Sequence, residues 1–451
     1  MVHLRLRNGL TGLLLLAGAL LAGPGLLAAP PPPPEQTYQM PSVVAVPAEA
    51  RASANFDAEK ATQAYLAQIP ASAKARSDAY FEGGYWLILW DFLYSTAVAL
   101  LLLMAGWSAR MRNAAERLSR FKPVQSFLYW TQFLLATTLL GFPLTYWEGF
   151  LRERRYGLGT QAFGPWMGDQ AKGLLLGLIM GGILTMVIFG ILRRLRRSWW
   201  LWATVASMAL VTLMVLIAPV YLEPFFNKIT PLDNPRITAP ILSLARANGI
   251  PATNVYMSDA SKQTTRMSAH VSGVGHTTRI TLNDNLVRRG SPEEIQSIMG
   301  HEMGHYVLHH VSKDLLFMFV VIAGFFGFLQ WSLGLCLARW GAAWGIRDIG
   351  DVAVLPLMVI LVSALGFLLT PVMNTHVRTA EAEADQFGLN ASRMPDGFAQ
   401  GAIHLGEYRK MNPGPVEEYC FFDHPSGYHR IKTAMVWKAE NLKDCNEPGA
   451  K

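Results

Sequence analysis

Hydrophobic positions in this chain do not alternate with polar ones; they gather into runs of membrane length. Six runs lie at 85–107, 124–147, 174–192, 200–220, 315–337 and 352–372. Each holds about 20 residues, enough for a helix to cross a hydrocarbon core about 30 Å thick. Aromatic pairs mark many ends, as at Tyr85/Trp86, Tyr129/Trp130, Tyr146/Trp147 and Trp199/Trp200. Amphipathic rings of this kind favour the headgroup layer. Asp91 interrupts the first run. It faces a polar bundle interior or the interface, or it lines an internal cavity.

A further apolar stretch, 10–29, follows Arg5 and Arg7. Residues 1–29 read as a signal peptide or as a membrane anchor. Leu27-Ala28-Ala29 is a poor small-x-small cleavage site, and Pro30 follows it. The pattern therefore predicts a mainly α, multi-pass helix bundle with six or seven spans.

Polar sequence fills the remainder. A Pro-rich polar segment, 30–84, opens with five consecutive prolines that form a stiff polyproline stretch. Four spans occupy 85–220 and two occupy 315–372. Between and after them lie polar regions at 221–314 and 373–451. The first predicts a helix over 235–248, stopped by Gly249 and Pro251. Alternation at 254–257 and 279–282 predicts strands. A helix is expected from Pro292 to about His310.

Composition agrees with the pattern. The 451 residues are 51% hydrophobic and 16% charged, with a mean hydropathy of +0.23. Soluble domains carry about 25% charged residues. The net charge of +7 raises the question of nucleic acid. Its sources answer it: Arg110, Arg112, Arg117, Arg120 and Lys122 form one cluster, Arg193, Arg194, Arg196 and Arg197 another. Both abut apolar runs, where positive charge sets membrane orientation, so the expected partner is the lipid bilayer and not nucleic acid. With these clusters and the Arg339/Arg347 loop inside, both polar regions fall on one outer or periplasmic side of a plasma or inner membrane. Three cysteines are too few for a Cys-based zinc site. Cys420 and Cys445 form a disulfide or stay as two free thiols.

The chemistry is concentrated at His301-Glu302-Met303-Gly304-His305. On a helix, histidines at i and i+4 share a face and can bind one metal. Glu302 points about 100° around the helix, where it can act on a water as general base. A zinc hydrolase of this type needs a third ligand. In Glu381-Ala382-Glu383-Ala384-Asp385, Glu381 and Asp385 share a face and Glu383 points elsewhere. Glu381 can ligate, and Asp385 can accept the second ring N–H of a ligand histidine. The plainer reading of this run is a solvated acidic helix start.

Several separated motifs together resemble the type I CAAX prenyl protease family, integral-membrane zinc metalloproteases. They are Tyr156-Gly157 with Trp166, the run Pro224-Phe225-Phe226-Asn227-Lys228-Ile229-Thr230-Pro231-Leu232, and the H-E-x-x-H followed by His310. Asn374, Arg378, Glu381, Ala384 and Asp385, then His424-Pro425 and Arg430, follow in family order. The resemblance implies one Zn²⁺ per chain on His301, His305 and Glu381, with Glu302 as base. It implies that Asp385, His424 and Arg430 belong to the active site, the last two as oxyanion donors. It also implies membrane helices around an internal chamber, a gluzincin-type zinc domain with a small β-sheet, and a peptide or protein substrate. Ser268-Ala269-His270 stands where the family has Asn-Ala-Tyr/Phe, in a strand that pairs with substrate, and His429 stands where it has an acid. The sequence sets no oligomeric state. The competing readings are a non-proteolytic zinc-binding membrane scaffold or a transporter. Glu302 counts against the first. The second wants paired broken helices, which are not apparent.

Overall fold

The computed structural model describes residues 40–273 and 277–441. The stretch 10–29, the polyproline run and Cys445 lie outside them. The described chain opens with an arm carrying α1 (Ala58–Leu66), capped by Asp57. Four membrane-length helices follow: α2 (Ala71–Met104), α3 (Lys122–Arg155), α4 (Phe163–Arg194) and α5 (Trp199–Phe226). A polar domain then contains β1 (Ile229–Pro231), α6 (Pro235–Ala247), β2 (Val255–Ser258), β3 (Ala269–Ser272), β4 (Arg279–Asn283) and α7 (Pro292–Val307). Helices α8 (His310–Gly341) and α9 (Val352–Ser392) return through the bundle. The chain ends its described course in α10 (Pro395–Leu405) and α11 (Gly427–Glu440).

The spans sit where the apolar runs do, but their helices reach further. α2 starts at Ala71, well before the apolar run at 85. Its first turns, with Ala71, Ala73, Lys74, Ala75 and Arg76, are good helix formers that need no lipid. α9 likewise continues past its apolar run to Ser392 and carries Glu381 into the polar domain. The opposite difference occurs after the H-E-x-x-H. That helix was expected to continue to His310, but it stops at Val307. His309 takes φ +56, a left-handed conformation that ends one helix and starts the next.

The bundle has two unlike ends. At one, the connecting loops interlock through Arg112–Asp351 (2.5 Å, both side chains buried), Arg347–Glu116 and Arg196–Asp348. At the other lies the polar domain, tied to α2 and α3 by Arg266–Glu153 (2.7 Å) and Lys410–Glu82 (2.7 Å). Among α2, α3 and α9, a cavity of about 670 Å³ is lined by Asp91, Glu148, Thr137 and Ser363. Asp91 is thus a cavity-lining residue.

The sheet runs β1-β2-β4-β3, with β2 and β4 parallel and the other pairs antiparallel. β3 is therefore an edge strand. Ile280 and Leu282 of β4 share one buried apolar cluster with Met299 and Met303 of α7. The N-terminal arm packs on α10 and α11: Tyr65 is fully buried, and its hydroxyl donates to Asp396 at 2.8 Å.

Candidate metal centre

α7 is built to begin sharply. Ser291 and Glu294 form a reciprocal capping box, and Pro292 occupies the first turn, where its missing N–H costs nothing. Glycines then let α9 touch α7. A Cβ on Gly388 would fall 2.7 Å from the His301 nitrogen, and one on Gly304 would fall 3.1 Å from Ala384 Cα. Only a residue without Cβ permits such contact. This close crossing brings the acidic run of α9 over the histidines of α7.

His301 and His305 share a face, with their Nε2 atoms 3.1 Å apart. Glu381 Oε2 lies 3.2 Å from His301 Nε2, and Oε1 lies 3.5 Å from His305 Nε2. A tetrahedral cation with bonds of about 2.0 Å keeps its ligands about 3.3 Å from one another. The three side chains match that spacing. Among the described residues, Glu381 Oε2 is also buried with no hydrogen bond of good geometry, the His301 and His424 Nε2 atoms each standing 3.2 Å from it. Two imidazoles and a carboxylate, with that oxygen otherwise unsatisfied, fit a divalent metal.

The remaining ring nitrogens are fixed by neighbours. His301 Nδ1 donates to Asp385 Oδ1 at 2.7 Å, leaving Nε2 as the lone-pair side. Arg430 grips both oxygens of Asp385, at 2.9 Å from Nε and 2.5 Å from Nη2. His305 Nδ1 faces His310 Nδ1 at 2.9 Å, and His310 Nε2 faces Glu383 at 3.1 Å. If Nε2 of His305 takes the metal, its Nδ1–H donates to His310, whose Nε2–H donates to Glu383. Glu383 does point away from Glu381, and that is how it reaches His310. The sequence signal for this chain was the extra histidine five residues after His305.

His424 Nε2 stands 3.2 Å from Glu381, and its Nδ1 stands 2.8 Å from Asp423, an acid that spacing alone does not single out. Arg430 is 8% exposed, is held by Asp385, and brings its Nη2 to 3.5 Å from His301 Nδ1. His270 lies on the face of β3 opposite Ala269, 3.5 Å from Glu223, which Arg279 also holds.

Electrostatics separate the three central groups of α7. Burial, reinforced by Glu381, pushes the Glu302 carboxyl up to about 7 against the pull of His301. Burial and the charge of His301 push His305 down to about 4. Burial opposes charge on His301, but Asp385 and Glu381 outweigh it and push that ring up to about 10. A metal cation would take the place of that proton. Beside this cluster lies a pocket of about 180 Å³, lined by Ser268, Ala269, Glu302, His424 and Arg430 among others. The edge strand and Glu302 thus share one pocket.

Comparison with known proteins agrees with this geometry. The profile described as CAAX prenyl protease N-terminal, five membrane helices, matches residues 56–228, and that of Peptidase family M48 matches 231–438. The uncharacterized metalloprotease YhfN of Bacillus subtilis is 32% identical over 78% of this chain and 84% of its own length. The chain belongs to the type I CAAX prenyl protease family. CAAX prenyl protease 1 of Saccharomyces cerevisiae is 27% identical over 68% of this chain and 71% of its own length. The crystal structure of S. mikatae Ste24p shares the fold, with a TM-score of 0.68 and 23% identity, over 80% of this chain and 88% of that one. The chain is a multi-pass membrane metalloendopeptidase acting on peptide or protein. His301, Glu302, His305, Glu381, Asp385, His424 and Arg430 all fall in the M48 portion.

Proposed function

We propose that the chain binds one zinc ion through His301 Nε2, His305 Nε2 and the Glu381 carboxylate, and hydrolyses peptide bonds with Glu302 as general base. The observation that carries this reading is the convergence of those three ligands beside a carboxyl whose affinity for protons is set near neutrality. When bound, zinc supplies a Lewis acid for the scissile carbonyl and lowers the pKa of water towards about 7. Glu302 takes a proton from the attacking water and delivers it to the leaving amine. Asp423 holds the His424 ring through Nδ1 and turns its Nε2 towards Glu381; burial holds this ring's proton affinity below the usual histidine range, so Nε2 becomes a donor, worth about 3 kcal/mol, only as negative charge develops beside it and draws a proton there. Asp385 fixes the His301 tautomer and Arg430 fixes Asp385. Substrate backbone adds to the free edge of β3, the side of that strand without a partner among the described residues.

The interlocked end of the bundle, with Arg112, Arg193, Arg196 and Arg347, is the cytosolic end by the distribution of positive charge. The metal site then opens on the outer or periplasmic side, and its substrates are membrane-associated or exported polypeptides, with no need of a prenyl group. The test is Glu302→Gln in the purified full-length protein. Zinc content should stay at one per chain while peptide cleavage is lost. Turnover near wild type would reject the base role. A reporter fused after Lys451 should be active outside the cytosol, and a cytosolic signal would reverse the orientation.

A further inference from the structure

The pocket beside the metal ligands is apolar over much of its lining, with Leu286, Ile298, Phe398, Ala402 and Leu405. Two arginines line it as well. Arg430 is committed: both oxygens of Asp385 hold it, and it lies over the Phe398 ring at 5.2 Å. Arg409 is not. Among the described residues its side chain has neither an ion pair nor a hydrogen bond, and it lies over the Tyr408 ring at 5.6 Å. Asp423, close enough to feel its field, is engaged by His424 at 2.8 Å.

A half-buried guanidinium facing an apolar pocket has lost part of its water without gaining a counter-ion. Its planar fork matches a carboxylate, and that pairing strengthens where water is scarce. We propose that Arg409 is a specificity-determining residue that binds a carboxylate of the substrate. The pocket then takes a peptide that places an apolar side chain against Leu286, Ile298 and Phe398 and a negative group within reach of Arg409. This inference rests on the peptidase reading above. The carboxylate can come from a polypeptide C-terminus or from an Asp or Glu side chain, and both offer the same two oxygens.

Binding to full-length Glu302→Gln protein in detergent, loaded with zinc, reads the subsite without turnover. The probes are fluorescein-labelled peptides of one leucine-rich sequence, read by anisotropy. One ends in a free carboxylate, one in an amide, and one in an amidated aspartate. The free acid should bind about tenfold more tightly than the amide, the worth of one charge-assisted pair. If the amidated aspartate recovers the affinity, the side chain can serve as the source; if not, the C-terminus is required. Arg409→Gln should erase the discrimination and Arg409→Lys should keep part of it, with zinc content unchanged in both. Equal affinity for all three peptides, or discrimination that survives Arg409→Gln, would overturn the proposal. Failure of the peptidase reading shows separately, as zinc-replete wild-type protein that leaves every peptide intact by mass spectrometry.

Discussion

His310 Nδ1 stands 2.9 Å from His305 Nδ1, across a helix break at His309. A metal-ligating histidine is oriented by whatever accepts its second N–H, and for His305 in the proposed site that acceptor would be another imidazole. Glu383, at 3.1 Å from His310 Nε2, sets the direction of both protons. His310→Ala should therefore weaken zinc binding by about 10–100-fold while the fold survives. Competition with a chromophoric chelator measures it. Glu383→Gln should have a smaller effect, because that carboxylate is half exposed and shared with Lys313. Unchanged zinc affinity in His310→Ala would show that the contact is mere packing.

The parts of this centre read from sequence are those set by helical spacing. His301 and His305, and Glu381 and Asp385, are pairs at i and i+4, so each pair shares a face whatever the rest of the chain does. The apolar runs likewise fix the spans, since lipid leaves the backbone few choices. What spacing does not carry is which helix meets which. Arg430 lies 45 residues from Asp385, and only the packing of α11 on α9 joins them. The positive φ of His309 is equally invisible, because a histidine is not the residue that usually marks such a turn. Helix ends beyond the apolar runs, such as that of α2 at Ala71, follow from propensity and packing on the polar domain, to which hydropathy is blind.

Asp385→Asn should damage stability and metal binding together. The substitution leaves Arg430 buried without its charge partner, a change that costs about 3–5 kcal/mol. It also exchanges one of the two acceptor oxygens for an NH2 donor, so the side chain can no longer accept from His301 Nδ1–H and from both Arg430 nitrogens, and the His301 tautomer is no longer fixed. A second substitution separates the two effects. Asp385→Asn with Arg430→Gln should recover much of the thermal stability but not the zinc affinity. Recovery of both would mean that Asp385 serves Arg430 alone.

Activity should fall on the acid side of neutrality. Glu302 must be ionised to take a proton from water, and burial raises its carboxyl from 4.5 to about 7. A bound cation favours the ionised form, so the midpoint of kcat/KM against pH is expected at or below about 7. Two units below the midpoint, activity should be about one hundredth of the plateau. The linkage to stability has the opposite sense. A folded pKa above the unfolded value contributes stability that is full below 4.5 and lost as pH rises through about 7. The metal-free protein should therefore lose that contribution across this window, and Glu302→Gln should not. Thermal melts of both proteins between pH 4 and 8, in chelator, measure the difference.

Gly388→Ala should break the centre without touching a single ligand. Its new methyl would meet the His301 nitrogen at 2.7 Å and the His301 Cα at 3.0 Å, both backbone atoms with no room to turn aside. The strain can relax only by moving α9 away from α7. Overpacking of this kind costs about 1–3 kcal/mol. The geometric consequence exceeds the energetic one, because Glu381 travels with α9 while His301 and His305 stay on α7. Ligand atoms now 3.2 to 3.5 Å apart would separate beyond what one cation can bridge. Gly388→Ala is thus expected to fold, with a modestly lower melting temperature, and to lose most of its zinc affinity and cleavage. Gly190→Ala provides the control, since a Cβ there meets nothing within 4 Å. If Gly388→Ala binds zinc as tightly as that control, the close crossing of α7 and α9 is not what assembles the site.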